Sequence, residues 1–202
     1  MEQQKMQALA EMVIRELFVE LEASGRHVHV TKQQAVELFG HALTPKRPLS
    51  QPGQFLAQER LTVIGPKGKL EHVAVLGPER GDAQVEISLT DARTLGVEVP
   101  VRLSGDVKGT PGITLATEHC RIHLSQGCLA AQRHIHLTPE DAKRFGVVDK
   151  QVVKLQTYTA RPLVFEDVAV RVSPKFASYV HLDYDEANAC GFRPGDLGRI
   201  LP

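Results

Sequence analysis

The chain has 202 residues, of which 42% are apolar and 24% charged, and these proportions are typical of a folded protein with a buried core. Its 24 Lys and Arg residues balance 24 Asp and Glu residues, so we expect no broad basic surface for nucleic acid or an anionic membrane. Three cysteines without a CxxC pair, and no long apolar run or signal peptide, predict a cytoplasmic protein that does not span a membrane.

Residues 1–23 are predicted to form an amphipathic N-terminal helix. Gly and Pro are absent from this segment, and apolar residues recur at helical spacing from Met6 to Leu21. Ser24-Gly25 provides an end for the helix, because Gly adopts the left-handed conformation readily. The apolar face either packs on the protein's own core or docks on a partner, and periodicity does not decide between the two.

After Gly25 the sequence changes to short β-branched runs separated by turns, which predicts strands and hairpins. Gly65-Pro66-Lys67-Gly68 lies between two alternating runs and is predicted to be a hairpin turn. Many short strands with a few short helices favour capped β-barrels over a parallel sheet with long crossover helices.

A strand followed by a short helix recurs four times along the chain. The copies read HVTKQQAVELFG, ISLTDARTLG, HLTPEDAKRFG and HLDYDEANACG, and the first and third align best. In the third copy Thr138 is predicted to cap the helix, with Pro139 at its first position. The repetition predicts an internal duplication and two related barrels, and it leaves open whether each barrel is contiguous in sequence.

Two H-x-H pairs, His27/His29 and His134/His136, occupy the same place in the repeat, and an arginine precedes each pair. Residues i and i+2 of a strand face the same side, so each pair is suited to chelate one metal ion. A single pair is a weak signal, because a polar surface strand gives the same pattern. The repetition of the pair favours metal binding.

Further ligands are expected at the matching positions of the other two copies, which hold Glu86 and His181. A carboxylate in a short apolar strand is costly to bury unless a cation pairs with it, although Glu86 facing solvent and His181 as a core histidine are the alternatives. Six groups from four equivalent strand ends predict one shared site. The Gly-rich loop at residues 104–112 lets backbone N–H groups approach an anion, but it lacks a phosphate-loop signature.

Eight segments taken together resemble the PduL-type phosphate acyltransferases, the phosphate propanoyltransferases of bacterial microcompartments. In chain order they are RHVHV, LSQPGQF, VIGPKGKL, VEISLTDARTLG, SGDVKGTPGI, AQRHIHLTPEDA, VFEDVAVRVSP and HLDYDEANACG. The resemblance spans residues 25–191 and implies a mainly β fold with short helices and two capped β-barrel domains related by internal duplication. It implies an acyltransferase that interconverts acyl-CoA (propanoyl-CoA or acetyl-CoA) plus phosphate with acyl phosphate plus CoA, by direct transfer at a two-zinc site.

The resemblance also implies two zinc ions per chain, bound by two sets of side chains: His27, His29 and Glu86, and His134, His136 and His181. It implies a catalytic role in phosphate handling for Arg80. It implies a discontinuous first domain of residues 24–63 plus 132–202 around a second domain of residues 64–131. Residues 1–23 resemble an encapsulation peptide that binds shell or lumen proteins, so we expect the protein in the lumen of a bacterial microcompartment. We also expect a homo-oligomer.

In the mechanism that the resemblance implies, zinc acts as a Lewis acid and stabilises a thiolate, while phosphate attacks the thioester carbonyl. No Ser or Cys nucleophile is needed. Two other classes of function stay open at this point. A metal-dependent hydrolase would activate water and need no CoA. A non-catalytic scaffold would bind metal without turnover.

Overall fold

The computed structural model describes residues 2–201. Within this range the chain forms five helices and fifteen strands. The helices are α1 (Glu2–Leu17), α2 (Lys32–Phe39), α3 (Leu89–Leu95), α4 (Pro139–Phe145) and α5 (Tyr184–Cys190). The strands are β1 (Val19–Ser24), β2 (His27–His29), β3 (Pro45–Pro48), β4 (Phe55–Ile64), β5 (Lys69–Gly77), β6 (Gln84–Ile87), β7 (Val101–Arg102), β8 (Ile113–Ala116), β9 (Arg121–Leu124), β10 (Cys128–Ala131), β11 (His134–Leu137), β12 (Val152–Tyr158), β13 (Val164–Val172), β14 (Tyr179–Asp183) and β15 (Leu197–Leu201).

The chain divides into two compact units. The first unit comprises Met1–Ala23, Arg133–Leu182 and Glu186–Pro202, and the second comprises Ser24–Gln132 and Asp183–Asp185. This division differs from the predicted domain boundaries of 24–63 plus 132–202 and 64–131. Residues 24–63 pack in the second unit because β2 and β4 pair with β5, β6 and β8 of that unit.

A closed barrel forms the core of the first unit. Among the described residues its strands follow the order β1, β14, β11, β13, β12, β15, and β15 pairs with β1 to close the ring. Strand β12 buries every second residue, so that Val153, Leu155 and Thr157 point inward, as strand geometry requires of a sheet with one buried face. Apolar side chains from the strands therefore fill the barrel.

A curled sheet forms the core of the second unit. Its strands follow the order β7, β10, β6, β2, β5, β4, β8, β9, and β3 pairs with β4. The predicted hairpin is confirmed between β4 and β5, where the N–H of Gly65 donates to the carbonyl of Gly68 at 2.9 Å. Gly65 leaves no room for a side chain, because a Cβ there would lie 2.3 Å from the carbonyl oxygen of Leu95. The prediction of a mainly β fold with short helices is confirmed.

Each copy of the repeat ends in a short helix, namely α2, α3, α4 or α5. Thr31, Ser88 and Thr138 are the N-caps of α2, α3 and α4, and each hydroxyl accepts a hydrogen bond from a backbone N–H three residues on. The predicted capping of α4 by Thr138, with Pro139 at its first position, is confirmed. The caps begin these three helices within two residues of the strands that carry the candidate ligands.

The predicted helix over residues 1–23 is correct only as far as Leu17, because Val19–Ser24 forms β1. Leu17 and Leu21 have helical spacing, but Val19 and Leu21 also alternate with Glu20 and Glu22. Tertiary packing favours the strand, since Val19 is 3% and Leu21 2% exposed inside the barrel.

Helix α1 presents apolar side chains to solvent. The exposed fractions are 71% for Met6 and 60% for both Leu9 and Met12. The interpretation in which this face packs on the protein's own core is therefore wrong for these residues, although α1 does contact α4. Within residues 2–201 no helix combines the length and the apolar character needed to cross a membrane.

Removing residues 2–17 is expected to leave the thermal unfolding midpoint nearly unchanged, because the described side chains of α1 are exposed. Removing residues 2–24 also deletes β1, and loss of the buried Val19 and Leu21 is expected to cost about 3–6 kcal/mol. Thermal denaturation followed by circular dichroism measures both effects. Equal midpoints for the two truncated proteins would contradict a structural role for β1.

Candidate metal centres

The first group of candidate ligands lies where β2 and β6 pair antiparallel. His27 faces Glu86 directly across the two strands. The Nε2 atoms of His27 and His29 lie 3.3 and 3.9 Å from Oε1 of Glu86. All three side chains are buried, and one ligand atom from each lies within 4.8 Å of the others. The strand pairing thus brings two imidazoles and a carboxylate to one point.

Backbone carbonyls fix the orientation of both imidazoles in this group. Nδ1 of His27 lies 2.8 Å from the carbonyl oxygen of Gly25, and Nδ1 of His29 lies 3.1 Å from that of Leu76. Because a carbonyl oxygen only accepts hydrogen bonds, Nδ1 of each ring carries the proton. The Nε2 atoms therefore face Glu86, as expected of metal-binding histidines whose other nitrogen is held by the protein.

A polar network surrounds the Glu86 carboxylate. Ser104 Oγ donates to Oε1 of Glu86 at 2.8 Å, and the side-chain amide of Gln84 donates to the same oxygen. The N–H of Gly105 donates to Gln84 at 2.7 Å, which orients that amide. Arg80 Nη1 donates to Ser104 Oγ at 3.3 Å, so the guanidinium lies one hydroxyl away from the carboxylate. The predicted catalytic Arg80 therefore belongs to this cluster.

Burial and charge together set the protonation of this group. Burial by itself raises the pKa of Glu86, but His27, His29 and the Ser104 hydroxyl together outweigh it and hold that pKa well below its usual range. Burial by itself lowers the pKa of His27, but Glu86 and the Gly25 carbonyl together outweigh it, so the pKa of His27 is raised. Burial and the charges of His27 and Arg80 lower the pKa of His29 well below its usual range. An anionic carboxylate and a neutral imidazole are metal-binding forms.

The second group lies where β11 and β14 pair antiparallel. His134 faces His181 across the strands, and their rings stack with centroids 5.0 Å apart. The His136 ring stacks on Phe176 with centroids 4.1 Å apart. One ring nitrogen from each of the three histidines lies within 4.8 Å of the others. This group therefore offers three imidazoles and no carboxylate.

A carboxylate lies behind His181. Oε2 of Glu22, on β1, lies 3.4 Å from Nδ1 of His181, and the two side chains are 34% and 11% exposed. A carboxylate on the outer nitrogen of a histidine orients the ring and makes its other nitrogen a stronger donor. Sequence reasoning missed Glu22 because it assigned residue 22 to the N-terminal helix.

The two groups share one plan. In each, the first histidine of an H-x-H pair lies directly opposite the third candidate ligand on an antiparallel neighbour. The structure thus brings the six predicted side chains into two groups of three, each within one compact unit. Their action on one shared substrate stays a prediction.

The donor chemistry of both groups fits zinc. Imidazole nitrogen and carboxylate oxygen are usual zinc donors, and three protein ligands leave one position for water or substrate. Over residues 2–201 these are the two places where three or more His, Cys, Asp or Glu side chains converge closely enough to hold one ion. His27, His29 and Glu86 would hold one zinc ion, and His134, His136 and His181 the other.

Comparison with known proteins gives a consistent result. The family model described as "Phosphate propanoyltransferase" matches residues 20–193. A curated protein of that name from Enterococcus faecalis is 54% identical over 184 residues, which cover 90% of this chain and 87% of the relative. Relatives of the same name from Clostridioides difficile and Thermotoga maritima are 49% and 45% identical, with 94% and 98% of this chain and 91% and 95% of the relatives covered. The similarity extends across the candidate ligands of both groups.

Replacing Glu86 with Gln removes the anionic donor of the first group and is expected to reduce bound zinc by about one ion per chain. Glu22→Gln keeps all three imidazoles of the second group and is expected to weaken zinc binding there by about 10–100-fold. Metal analysis after dialysis and titration against a chromophoric chelator measure both changes. Glu71→Gln is the matched control, because its side chain is 56% exposed. Full zinc content in the Glu86→Gln protein would contradict the assignment of that ligand.

Proposed function

Because this chain belongs to the phosphate propanoyltransferase family, and is therefore an acyltransferase, we propose that it converts acyl-CoA and phosphate to acyl phosphate and CoA, and the reverse, using two zinc ions per chain. Propanoyl-CoA and acetyl-CoA are the proposed acyl donors. The observation that carries the proposal is the buried cluster of His27, His29 and Glu86 with Arg80 beside it. That cluster combines a metal-binding donor set with a cation for phosphate.

Arg80 is the proposed phosphate-binding residue. A guanidinium presents planar N–H donors that match the oxygens of a phosphate. The hydrogen bond from Nη1 to Ser104 Oγ and the backbone hydrogen bond from Arg80 N–H to the Val30 carbonyl, at 2.9 Å, fix the residue at both ends. A cation held in place before the substrate binds costs little reorganisation during the reaction.

The proposed reaction is a direct displacement. A phosphate oxygen attacks the thioester carbonyl carbon, the carbon–sulfur bond breaks, and CoA leaves as a thiolate. Arg80 orients the attacking phosphate and stabilises the negative charge that develops during the attack. Bound zinc supplies a Lewis acid and keeps a thiol deprotonated.

Two of the protein's three thiols, those of Cys128 and Cys190, are poorly suited to form an acyl-enzyme. Cys128 is fully buried, and burial raises its pKa to about 12. Burial also raises the pKa of Cys190. Since the thiolate is the nucleophilic form of cysteine, neither side chain is activated for attack on a thioester.

The reaction is tested by mixing the purified protein with CoA and propanoyl phosphate and following thioester absorbance, before and after removal of metal with a chelator and restoration with zinc. We expect metal-dependent thioester formation. Arg80→Ala is expected to lower kcat/KM by about 10²–10³-fold, as for loss of a residue that stabilises developing charge, whereas the exposed Arg121→Ala retains full activity.

Two results would contradict this reaction. Mass spectrometry of protein quenched during turnover is expected to show an unmodified chain, and an acyl adduct on Cys or Ser would overturn direct displacement. Hydrolysis of acyl-CoA in the absence of phosphate would indicate a metal-dependent hydrolase instead.

We further propose that α1 binds a shell or lumen protein of a bacterial microcompartment and directs the enzyme to its lumen. The apolar side chains that α1 exposes support docking, since amphipathic helices commonly bind by laying such a face into an apolar groove. The encapsulation role that the family resemblance implies for this segment would use the same exposed apolar face. Helix α1 ends before the first barrel strand begins, so the docking segment contains none of the candidate ligands.

This docking is tested by co-purification with microcompartment shells assembled in the same cells. Leu9→Asp places a charge on the apolar face and is expected to reduce co-purification at least tenfold while leaving activity in solution intact. Gln4→Asp, which adds the same charge on another face of α1, is the control. Unchanged co-purification of the Leu9→Asp protein would argue against docking through this face.

A further inference from the structure

The arginine that precedes each H-x-H pair forms the same kind of ion pair in both units. Arg26 Nη2 lies 3.2 Å from Oδ1 of Asp91, and Arg133 Nη1 lies 2.8 Å from Oε1 of Glu186. Each acid lies five residues after the third candidate ligand of its group. The proposed reaction uses neither Arg26 nor Arg133. The two matched ion pairs therefore need an explanation other than catalysis.

Each acid occupies the same position in its helix. Asp91 is the third residue of α3, and Glu186 is the third residue of α5. The helices follow β6 and β14, the strands that carry Glu86 and His181. Each ion pair therefore joins the start of an H-x-H strand to the first helical turn after the strand of the third ligand.

The ion pairs lie where strand register decides the geometry of the donors. A slip of one residue between paired strands turns every side chain to the opposite face. In both groups the first histidine and the third ligand are direct partners across the strands, so a slip would remove donors from the group. An ion pair at the adjacent strand end holds that register and the separation of the two strands.

Burial makes the two pairs more than surface contacts. The Asp91 side chain is 7% exposed and the Glu186 side chain 18% exposed, against 39% and 28% for Arg26 and Arg133. Arg133 is held further by a hydrogen bond from its Nε to the carbonyl oxygen of Glu166 and by its position 5.8 Å from the centre of the Phe165 ring. Removing the arginine takes one charged partner from a partly buried carboxylate, which costs more than loss of an exposed pair.

We propose that Arg26–Asp91 and Arg133–Glu186 are matched positioning pairs, one for each donor group, that hold the ligand strands in the register and separation needed to bind zinc. This inference rests on the proposed metal-binding role of the two groups. The pairs differ in acid and in third ligand, Asp with a carboxylate ligand in one unit and Glu with an imidazole ligand in the other. Recurrence of the contact despite those differences indicates a shared requirement of the donor groups.

The proposal is tested by measuring zinc affinity and the visible absorption of the cobalt-substituted protein in full-length variants. Arg133→Met is expected to weaken one of the two zinc ions by about 10–100-fold and to alter the cobalt bands of that ion alone. Arg26→Met is expected to affect the other ion in the same way. Glu186→Gln combined with Arg133→Met is expected to weaken binding no further than either change alone, since both remove the same contact.

Arg144→Met is the matched control, because it breaks a partly buried pair with Asp141 within α4 and keeps both the Arg26–Asp91 and the Arg133–Glu186 pairs. A merely structural role predicts equal losses of thermal stability in Arg133→Met and Arg144→Met with wild-type zinc affinity in both. That result, in a wild-type protein that binds two zinc ions, would overturn the positioning role and leave the metal-binding role intact. A wild-type protein that binds no zinc would overturn both. If Arg133→Met fails to fold, Arg26→Met and Arg133→Lys decide the question by the same measurements.

Discussion

The structure depends on the antiparallel pairing that sets His27 opposite Glu86 and His134 opposite His181. Ionisable side chains taken out of water cost several kcal/mol each unless partners compensate them. The fold supplies these partners in layers: the facing ligand first, then backbone carbonyls behind His27 and His29, then the Ser104 and Gln84 side chains around Glu86. The short capped helices begin almost at once after the ligand strands, which keeps those strands short and their ends fixed.

The two donor groups share one plan and differ in charge. The first group contains a carboxylate, so a divalent ion there keeps one formal positive charge after binding. The second contains three neutral imidazoles, so a divalent ion there would keep both of its formal positive charges. The carboxylate of Glu22 lies outside this donor set. Because anionic donors reduce the Lewis acidity of a metal, an ion bound by the second group would be the more electrophilic of the two. The same strand pairing would then support two ions of different reactivity.

Much of the candidate site was predictable because it depends on local patterns that the chain repeats. The H-x-H spacing, its recurrence and the matching positions of Glu86 and His181 predict the six candidate donors that the fold gathers into two groups, and the Thr138-Pro139 pair predicts a helix start. The tautomers of the histidines were not predictable, since Gly25 and Leu76 approach them only in the folded chain. Ser104 was visible as part of a Gly-rich loop, but its contact with Glu86 depends on how that loop returns to the sheet.

The segment before Gly25 shows where sequence periodicity fails. The spacing of Leu17 and Leu21 fits a helix, whereas the spacing of Val19 and Leu21 fits a strand. The strand forms because β1 completes a barrel with the other five strands. Glu22 could not be found without that decision, because only a strand at this position carries its carboxylate to His181. The domain boundaries depend on the same choice of partners by β1 and β2.

Only Phe18 separates the last residue of α1 from the first residue of β1, and its ring meets Tyr158 edge to face with centroids 5.1 Å apart. A helix of 16 residues is about 24 Å long, so α1 is a long rigid element joined to the barrel without a flexible linker. A protein surface that binds α1 would therefore fix the orientation of the barrel relative to that surface, as well as the distance between the two. The strand next to α1 carries Glu22, which contacts His181, so the docking segment and one candidate ligand are joined by a short stretch of chain.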